Sequence, residues 1–254
     1  MARAKSRREL KRMRRAGEMV AAALQAMRDM AAPGVTTEQL DELAETVIVG
    51  MGGIPSFKGY MGYPATICAS VNEEIVHGIP SERVLAPGDI VSVDVGAIYD
   101  GYQGDAALTV AIGKVDGRVK ALMRATQDAL AAGIRAARTG ARIGDVSHAI
   151  EAAADAAGFG IIREYGGHAI GRQMHEPPNI PNWGDAGKGI LLKEGMTLCL
   201  EPMLTMGEEA TEVLDDDWTV ITKDHSKTAH FEHTIIVRAQ GGEILTNWQE
   251  DCEG

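Results

Sequence analysis

Asp94 and Asp105 stand in the run Val91-Ser92-Val93-Asp94-Val95-Gly96-Ala97-Ile98-Tyr99-Asp100-Gly101-Tyr102-Gln103-Gly104-Asp105, which reads as two strands joined by Asp100-Gly101. An Asp-Gly pair between alternating apolar residues is the strongest short-range signal for a two-residue hairpin turn. That turn sets Gly96 opposite Asp105. Side chains alternate along a strand, so Asp94 and Gly96 share a face, and Asp94 becomes the diagonal neighbour of Asp105. Such neighbours lie roughly 7–8 Å apart at the backbone. Like charges held that close need a cation or a proton between them, and a divalent metal is the obvious candidate. The other face carries Val91, Val93 and Val95, which suits a core. The competing reading is a surface hairpin whose open face solvates both acids.

Three more residues fit the same chemistry. His168 lies in Tyr165-Gly166-Gly167-His168-Ala169-Ile170-Gly171, where small neighbours let a ligand approach the backbone. Glu201 sits in Cys199-Leu200-Glu201-Pro202-Met203 and Glu232 in Phe231-Glu232-His233-Thr234-Ile235. Both runs read as apolar strands, in which a lone carboxylate is costly unless it is paired or metal-bound. Four carboxylates and a neutral imidazole carry a charge that one divalent ion leaves half compensated and two ions balance. That arithmetic favours a dinuclear site with bridging carboxylates and a water between the ions as nucleophile. Taken singly, each acid reads as well as a salt-bridged or exposed carboxylate.

The elements that must position these residues repeat. Ser6 to Glu9 and Thr36 to Gln39 are capping boxes that open helices. The first carries Leu10, Met13, Val20, Leu24, Met27 and Ala31 at helical spacing and stops at Pro33-Gly34. The second carries Leu40, Leu43, Val47 and Met51 before Gly52-Gly53. A loop rich in Gly, Pro and Tyr runs from Ile54 to Pro64, and a strand follows near 65–71. In the second half, helices are expected at 120–138 and 143–157, and strands near 161–165, 196–203 and 231–238. Ala86-Pro87-Gly88 precedes Asp94 as Lys193-Glu194-Gly195 precedes Glu201, and His77-Gly78-Ile79-Pro80 echoes His175-Glu176-Pro177-Pro178. Each half therefore reads helix, helix, strand, then two strands each bearing an acid. The expectation is one α+β catalytic domain over 1–254, with an internal repeat over 16–113 and 118–240 and the site at the seam.

Composition narrows the class. The 254 residues hold no apolar run long enough to span a bilayer, so no membrane contact is expected. The basic start lacks the apolar stretch of a secretory signal. Three cysteines, Cys68, Cys199 and Cys252, without C-x-x-C spacing suggest reduced thiols in the cytoplasm. Residues 1–15 carry eight basic side chains against the acid Glu9; without them, the 25 basic and 36 acidic residues fall to 17 and 35. A basic arm on an acidic body suggests contact with a polyanion such as RNA. The plainer reading is a solvated helix start. Few aromatic residues are present to stack on nucleic acid, and no DNA partner is expected.

In order along the chain, VNEEIVHGIP (71–80), the Asp94/Asp105 pair, GGHAIG (166–171), LEPM (200–203) and FEHT (231–234) resemble the type I methionine aminopeptidases. The steps of 11, 63, 33 and 31 residues between successive candidate ligands match that family. The resemblance runs from about Glu9 to Leu245. It implies the pita-bread fold, two related lobes with antiparallel sheets covered by helices, around two divalent ions (Co, Mn, Fe(II) or Zn). It implies that Asp94 chelates one ion, that His168 and Glu201 hold the other, and that Asp105 and Glu232 bridge.

The same resemblance makes Glu201 the acceptor of the water proton, places His77 near the scissile amide and lets His175 polarise the carbonyl. Read alone, either histidine could simply cap a turn. The methionine pocket is implied at Tyr60, Tyr63, Cys68, His77, Met174, His175 and Trp218; loop packing is the alternative for the tyrosines, and core for the tryptophan. Met174, His230, Gln103 and Gly166 replace the family's usual phenylalanine, glutamine, histidine and cysteine. The implied activity is removal of the initiator methionine from nascent chains whose second residue is small and uncharged, by attack of a metal-bridging hydroxide. A monomer is expected, with a ribosome encounter through the basic arm. The rivals are a proline-directed peptidase of the same fold, which usually carries an extra N-terminal domain, and a non-catalytic module that binds nucleic acid or ribosomes.

Overall fold

The computed structural model describes residues 3–248. Both capping boxes form. Ser6 Oγ accepts from the Glu9 N–H while the Glu9 carboxylate accepts from the Ser6 N–H, and Thr36 and Gln39 do the same. They open α1 (Arg7–Met30) and α2 (Thr37–Gly50). α3 (Gly117–Ala136) starts earlier than expected because the Asp116 side chain caps it, accepting from the Arg118 N–H. α4 (Ile143–Ala157) ends at Gly158 in the left-handed region.

Fifteen strands follow among the described residues. The first half of the chain holds β1 (Ile54–Pro55), β2 (Ile67–Val71), β3 (Glu74–Val76), β4 (Ile90–Tyr99) and β5 (Tyr102–Ala111). The second holds β6 (Gly160–Ile161), β7 (Gly166–Ala169), β8 (Glu176–Pro181), β9 (Thr197–Leu200), β10 (Met203–Thr205), β11 (Thr211–Val213), β12 (Val220–Thr222), β13 (Thr228–His230), β14 (His233–Arg238) and β15 (Gly241–Ile244). All ladders between these strands are antiparallel. Among the described residues, four α-helices over antiparallel sheets give the α+β class that the sequence implied.

The β4–β5 hairpin has the register the sequence implied: Gly96 pairs with Asp105 and Asp94 with Ala107. Asp100 and Gly101 both take positive φ, 47° and 75°, the conformation a tight two-residue turn demands. Both faces of the hairpin are covered, so the solvated-hairpin reading fails. Val91, Val93 and Val95 pack with Met19, Leu24 and Met27 of α1 in a core that continues through Leu122 of α3 and Ile150 of α4 to Leu198 and Ile235. Each such side chain contributes about 1.5–3 kcal/mol by leaving water.

Three expected strands are interrupted. The run at 161–165 is not one strand; β6 ends at Ile161 and β7 begins at Gly166. The runs at 196–203 and 231–238 break at Glu201-Pro202 and at Phe231-Glu232. Pro202 has no N–H to give a ladder, so the strand cannot run through it unbroken. The basic segment also differs from a free arm. From Arg7 it is already α1, and before that Lys5 is buried, its N–H bonded to the Gly195 carbonyl and its Nζ 3.0 Å from Glu176.

Candidate metal centre

All twelve residues singled out from the sequence line one cavity of about 240 Å³. Asp94 and Asp105 reach it from β4 and β5, and His168 from β7. Glu201 and Glu232 reach it from the two strand breaks rather than from strands. The two halves of the chain are joined there by direct bonds. The Glu232 N–H donates to the Ala107 carbonyl (2.9 Å), and the Thr234 hydroxyl donates to the Asp105 carbonyl (2.7 Å). Thus β5 and the 231–234 segment fix Asp105 and Glu232 relative to each other.

His168 Nε2 lies 3.7 Å from Glu201 and 3.9 Å from Asp105. Its Nδ1 is 3.1 Å from the Ala169 carbonyl, which can only accept, so Nδ1 carries the hydrogen and Nε2 turns a lone pair to the acids. Asp105, His168, Cys199 and Glu232 each offer a donor atom, all within 4.8 Å of one another. Asp94 Oδ1, Asp105 Oδ1 and Glu232 Oε1 are buried with no hydrogen-bond partner.

Burial pushes all four carboxyls up, Asp94 to about 7 and Glu201 to about 8, with the charge of Asp94 adding to Glu201. Asp105 and Glu232 rise well above the carboxylate range, first by burial and then by their acidic neighbours. Burial also lowers His168, to about 3, so it is a neutral imidazole at neutral pH. Orphaned oxygens, raised acids and a neutral imidazole in one pocket fit divalent metal: the cation supplies the charge and ligation these groups lack.

Around this set stand the remaining candidates. The Tyr60 hydroxyl lies 2.9 Å from His175 Nδ1, and the His175 ring contacts that of His168 at 4.3 Å. His77, in the left-handed region at φ 62°, meets Tyr165 and Trp218 edge-to-face. Burial lowers both His77 and His175. Tyr63 meets Trp218 edge-to-face at 5.0 Å, and its hydroxyl lies 3.0 Å from the carbonyls of Ile67 and Gly78. Cys68 pairs with Asp94 in the β2–β4 register, and Met174 is 2 % exposed. Sulfur and aromatic edges suit a thioether.

Of the departures from the resembled family, Met174 and Gly166 line the cavity. His230 is buried beside it, its Nε2 unpartnered and 3.9 Å from Glu201. Gln103 stands outside, accepting from Ser56. Sequence reasoning missed Phe57 and Tyr165 in the lining, and Asn182, whose Nδ2 donates to the Glu201 carbonyl. No local motif marks Phe57 or Asn182, whereas Tyr165 opens the run that carries His168. Cys199 carries a signal in the sequence, two residues before Glu201 in an apolar run.

Residues 11–239 match the metallopeptidase family M24. The chain belongs to that family. It is 54 % identical to methionine aminopeptidase 1 of Mycobacterium tuberculosis over 94 % of its length and 92 % of the relative's, and 46 % identical to methionine aminopeptidase 1 of Bacillus subtilis over 95 % and 98 %. These identities place it among the family's methionine aminopeptidases. The crystal structure of a methionine aminopeptidase from Thermotoga maritima superposes with a TM-score of 0.96 at 46 % identity, covering 97 % of this chain and all of that one. A prolidase from Pyrococcus furiosus shares the fold at 20 % identity, with a TM-score of 0.80 over 97 % of this chain and 66 % of the prolidase.

Proposed function

We infer that this chain is a metal-dependent hydrolase that removes N-terminal methionine from polypeptides. The observation that carries this reading is one cavity in which four carboxylates and an imidazole adjoin a wall of tyrosine, tryptophan, methionine and cysteine. High identity to methionine aminopeptidases supports it. Asp94, Asp105, His168, Glu201 and Glu232 would hold two divalent ions, with Asp105 and Glu232 shared between them. When bound, the ions supply Lewis-acid activation of water and of the peptide carbonyl; Co, Mn, Fe(II) and Zn all suit these donors.

The chain's own residues do the rest. Tyr60, Tyr63, Cys68, Met174 and Trp218 take the methionine side chain, which fixes the first peptide bond over the acids. Glu201 accepts the proton of the attacking water and returns it to the departing amine. The Tyr60 hydroxyl donates to His175 Nδ1, so His175 presents Nε2–H to the oxygen that gains charge. His77 faces the scissile amide. The second residue is small and uncharged by steric limit, and the substrates are nascent chains.

The catalytic unit is the single domain over 1–254, with its repeat over 16–113 and 118–240, acting as a monomer in the cytoplasm. Among the described residues no helix is long and apolar enough to cross a membrane. Arg7, Arg8 and Lys11 are exposed and, among the described residues, make no ion pair. They give the basic N-terminal segment free cations for a ribosome encounter. Their reversal to glutamate should reduce co-sedimentation with ribosomes at low salt; unchanged binding would remove that role. Turnover of Met-Ala-Ser against X-Pro dipeptides tests the activity: hydrolysis of the tripeptide alone is expected, and a preference for X-Pro would make it a proline-directed peptidase. A non-catalytic module would bind no stoichiometric metal.

A further inference from the structure

Cys199 faces the carboxylate cluster, yet the reading above gives it no task. It is fully buried in β9, paired with His168 of β7 on one side and with Thr234 of β14 on the other. Its Sγ and the nearest donor atoms of Asp105, His168 and Glu232 all lie within 4.8 Å of one another. Two buried oxygens of this quartet, Asp105 Oδ1 and Glu232 Oε1, have no hydrogen-bond partner. Cys199 Sγ is 3.4 Å from Thr234 Oγ1, whose single hydrogen is given to the Asp105 carbonyl at 2.7 Å. Thr234 therefore has no hydrogen left for the sulfur, and the Cys199 lone pairs are not engaged by it.

We propose that Cys199 is a further metal ligand, completing with Asp105, His168 and Glu232 a sulfur-containing site that selects a thiophilic ion, zinc or its surrogate cadmium, at one of the two metal positions. The proposal rests on the reading of this cavity as a metal centre. Cysteine, histidine and carboxylate are the donor types that zinc takes, and a thiolate shifts selection away from harder ions such as manganese. With zinc–sulfur near 2.3 Å and zinc–nitrogen or –oxygen near 2.0–2.2 Å, tetrahedral edges are roughly 3.3–3.7 Å, so the donors draw in by about an ångström. On binding, the Cys199 S–H bond breaks, the sulfur electron pair forms the metal–sulfur bond, and the proton leaves to solvent. Asp94 stays with the other ion, which makes the two positions unequal: one with sulfur and imidazole, the other held by oxygen alone.

The test uses the full chain with Cys68→Ser and Cys252→Ser, which leaves Cys199 as its cysteine. Cadmium titration should raise an ultraviolet thiolate-to-metal band that saturates at one equivalent. X-ray absorption of the zinc-loaded protein should show a sulfur neighbour at about 2.3 Å. Adding Cys199→Ser should abolish both signals while metal still binds; if that variant does not fold, the absorption spectrum of its parent decides. Stoichiometric zinc with only nitrogen and oxygen neighbours would overturn the role of Cys199 and leave the metal centre standing. Failure to bind any divalent ion would overturn both.

Discussion

Glu201 and Glu232 face each other at the point where the β9–β14 ladder stops and the β10–β13 ladder begins. Leu200 pairs with His233 on one side and Met203 with His230 on the other, and the same register carried through the gap sets the two acids opposite. Their backbones are held from outside the ladder, Glu201 through Asn182 and Glu232 through Ala107. The interruption lets two like charges from adjacent strands point into one cavity, at a place where an unbroken pair of apolar strands would seal it.

Replacing Glu201 by glutamine should abolish turnover of Met-Ala-Ser, by about 10²–10⁴-fold if proton transfer is what is lost. Folding should survive, because the substitution removes one of several buried like charges. Circular dichroism melts beside steady-state kinetics check this; near-normal kcat would remove Glu201 from proton transfer.

The metal-free protein should lose stability as pH rises from about 6.5 to 8. Unfolded carboxyls are fully ionised there, whereas Glu201 titrates near 8, Asp94 near 7, and Asp105 and Glu232 higher still in the fold. The folded state then binds more protons than the unfolded, so stability falls with pH. The buried histidines, lowered to about 3 for His168 and His230 and about 4 for His233, act below 6.5 and in the opposite sense. Tm of chelated protein should drop across that window and recover most at pH 8 on adding metal. A Tm that rises with pH would contradict the assignment.

Tyr60→Phe keeps the ring against the cavity and removes the hydroxyl that meets His175 Nδ1. One hydrogen bond of about 0.5–1.5 kcal/mol net corresponds to a roughly two- to twelvefold loss of kcat/KM. An unchanged value would mean that His175 is oriented by its other contacts.

Gly96 pairs with Asp105 and lies on the site face of β4. A Cβ there would stand 2.8 Å from Met174 Cε and 2.9 Å from Phe57 Cε1, inside the distance real contacts allow. Gly96→Ala should therefore raise KM for methionyl peptides more than it lowers kcat. A proportionate fall in kcat alone would argue that the ring and thioether do not bound the methionine pocket.

The local grammar of the chain was readable because it is local. Capping boxes, the Asp-Gly turn and helical spacing gave α1, α2, α4 and the register of Asp94 and Asp105, and the twelve residues singled out from apolar context and family resemblance line one cavity. The strand breaks at Glu201 and Glu232 were not readable from apolar content, since the flanking runs are continuous in hydrophobicity. Only Pro202 hinted at one of them. Phe57 and Asn182 reach the site through tertiary packing that no spacing encodes. The basic start looked like an arm by charge alone, while Lys5 is in fact buried against Glu176.

Chelation followed by add-back of single metals, read on Met-Ala-Ser, tests the central reading most directly. Loss of turnover on removing metal and its return with one or more of manganese, iron(II), cobalt or zinc is expected. Full turnover by protein shown to be metal-free would contradict it.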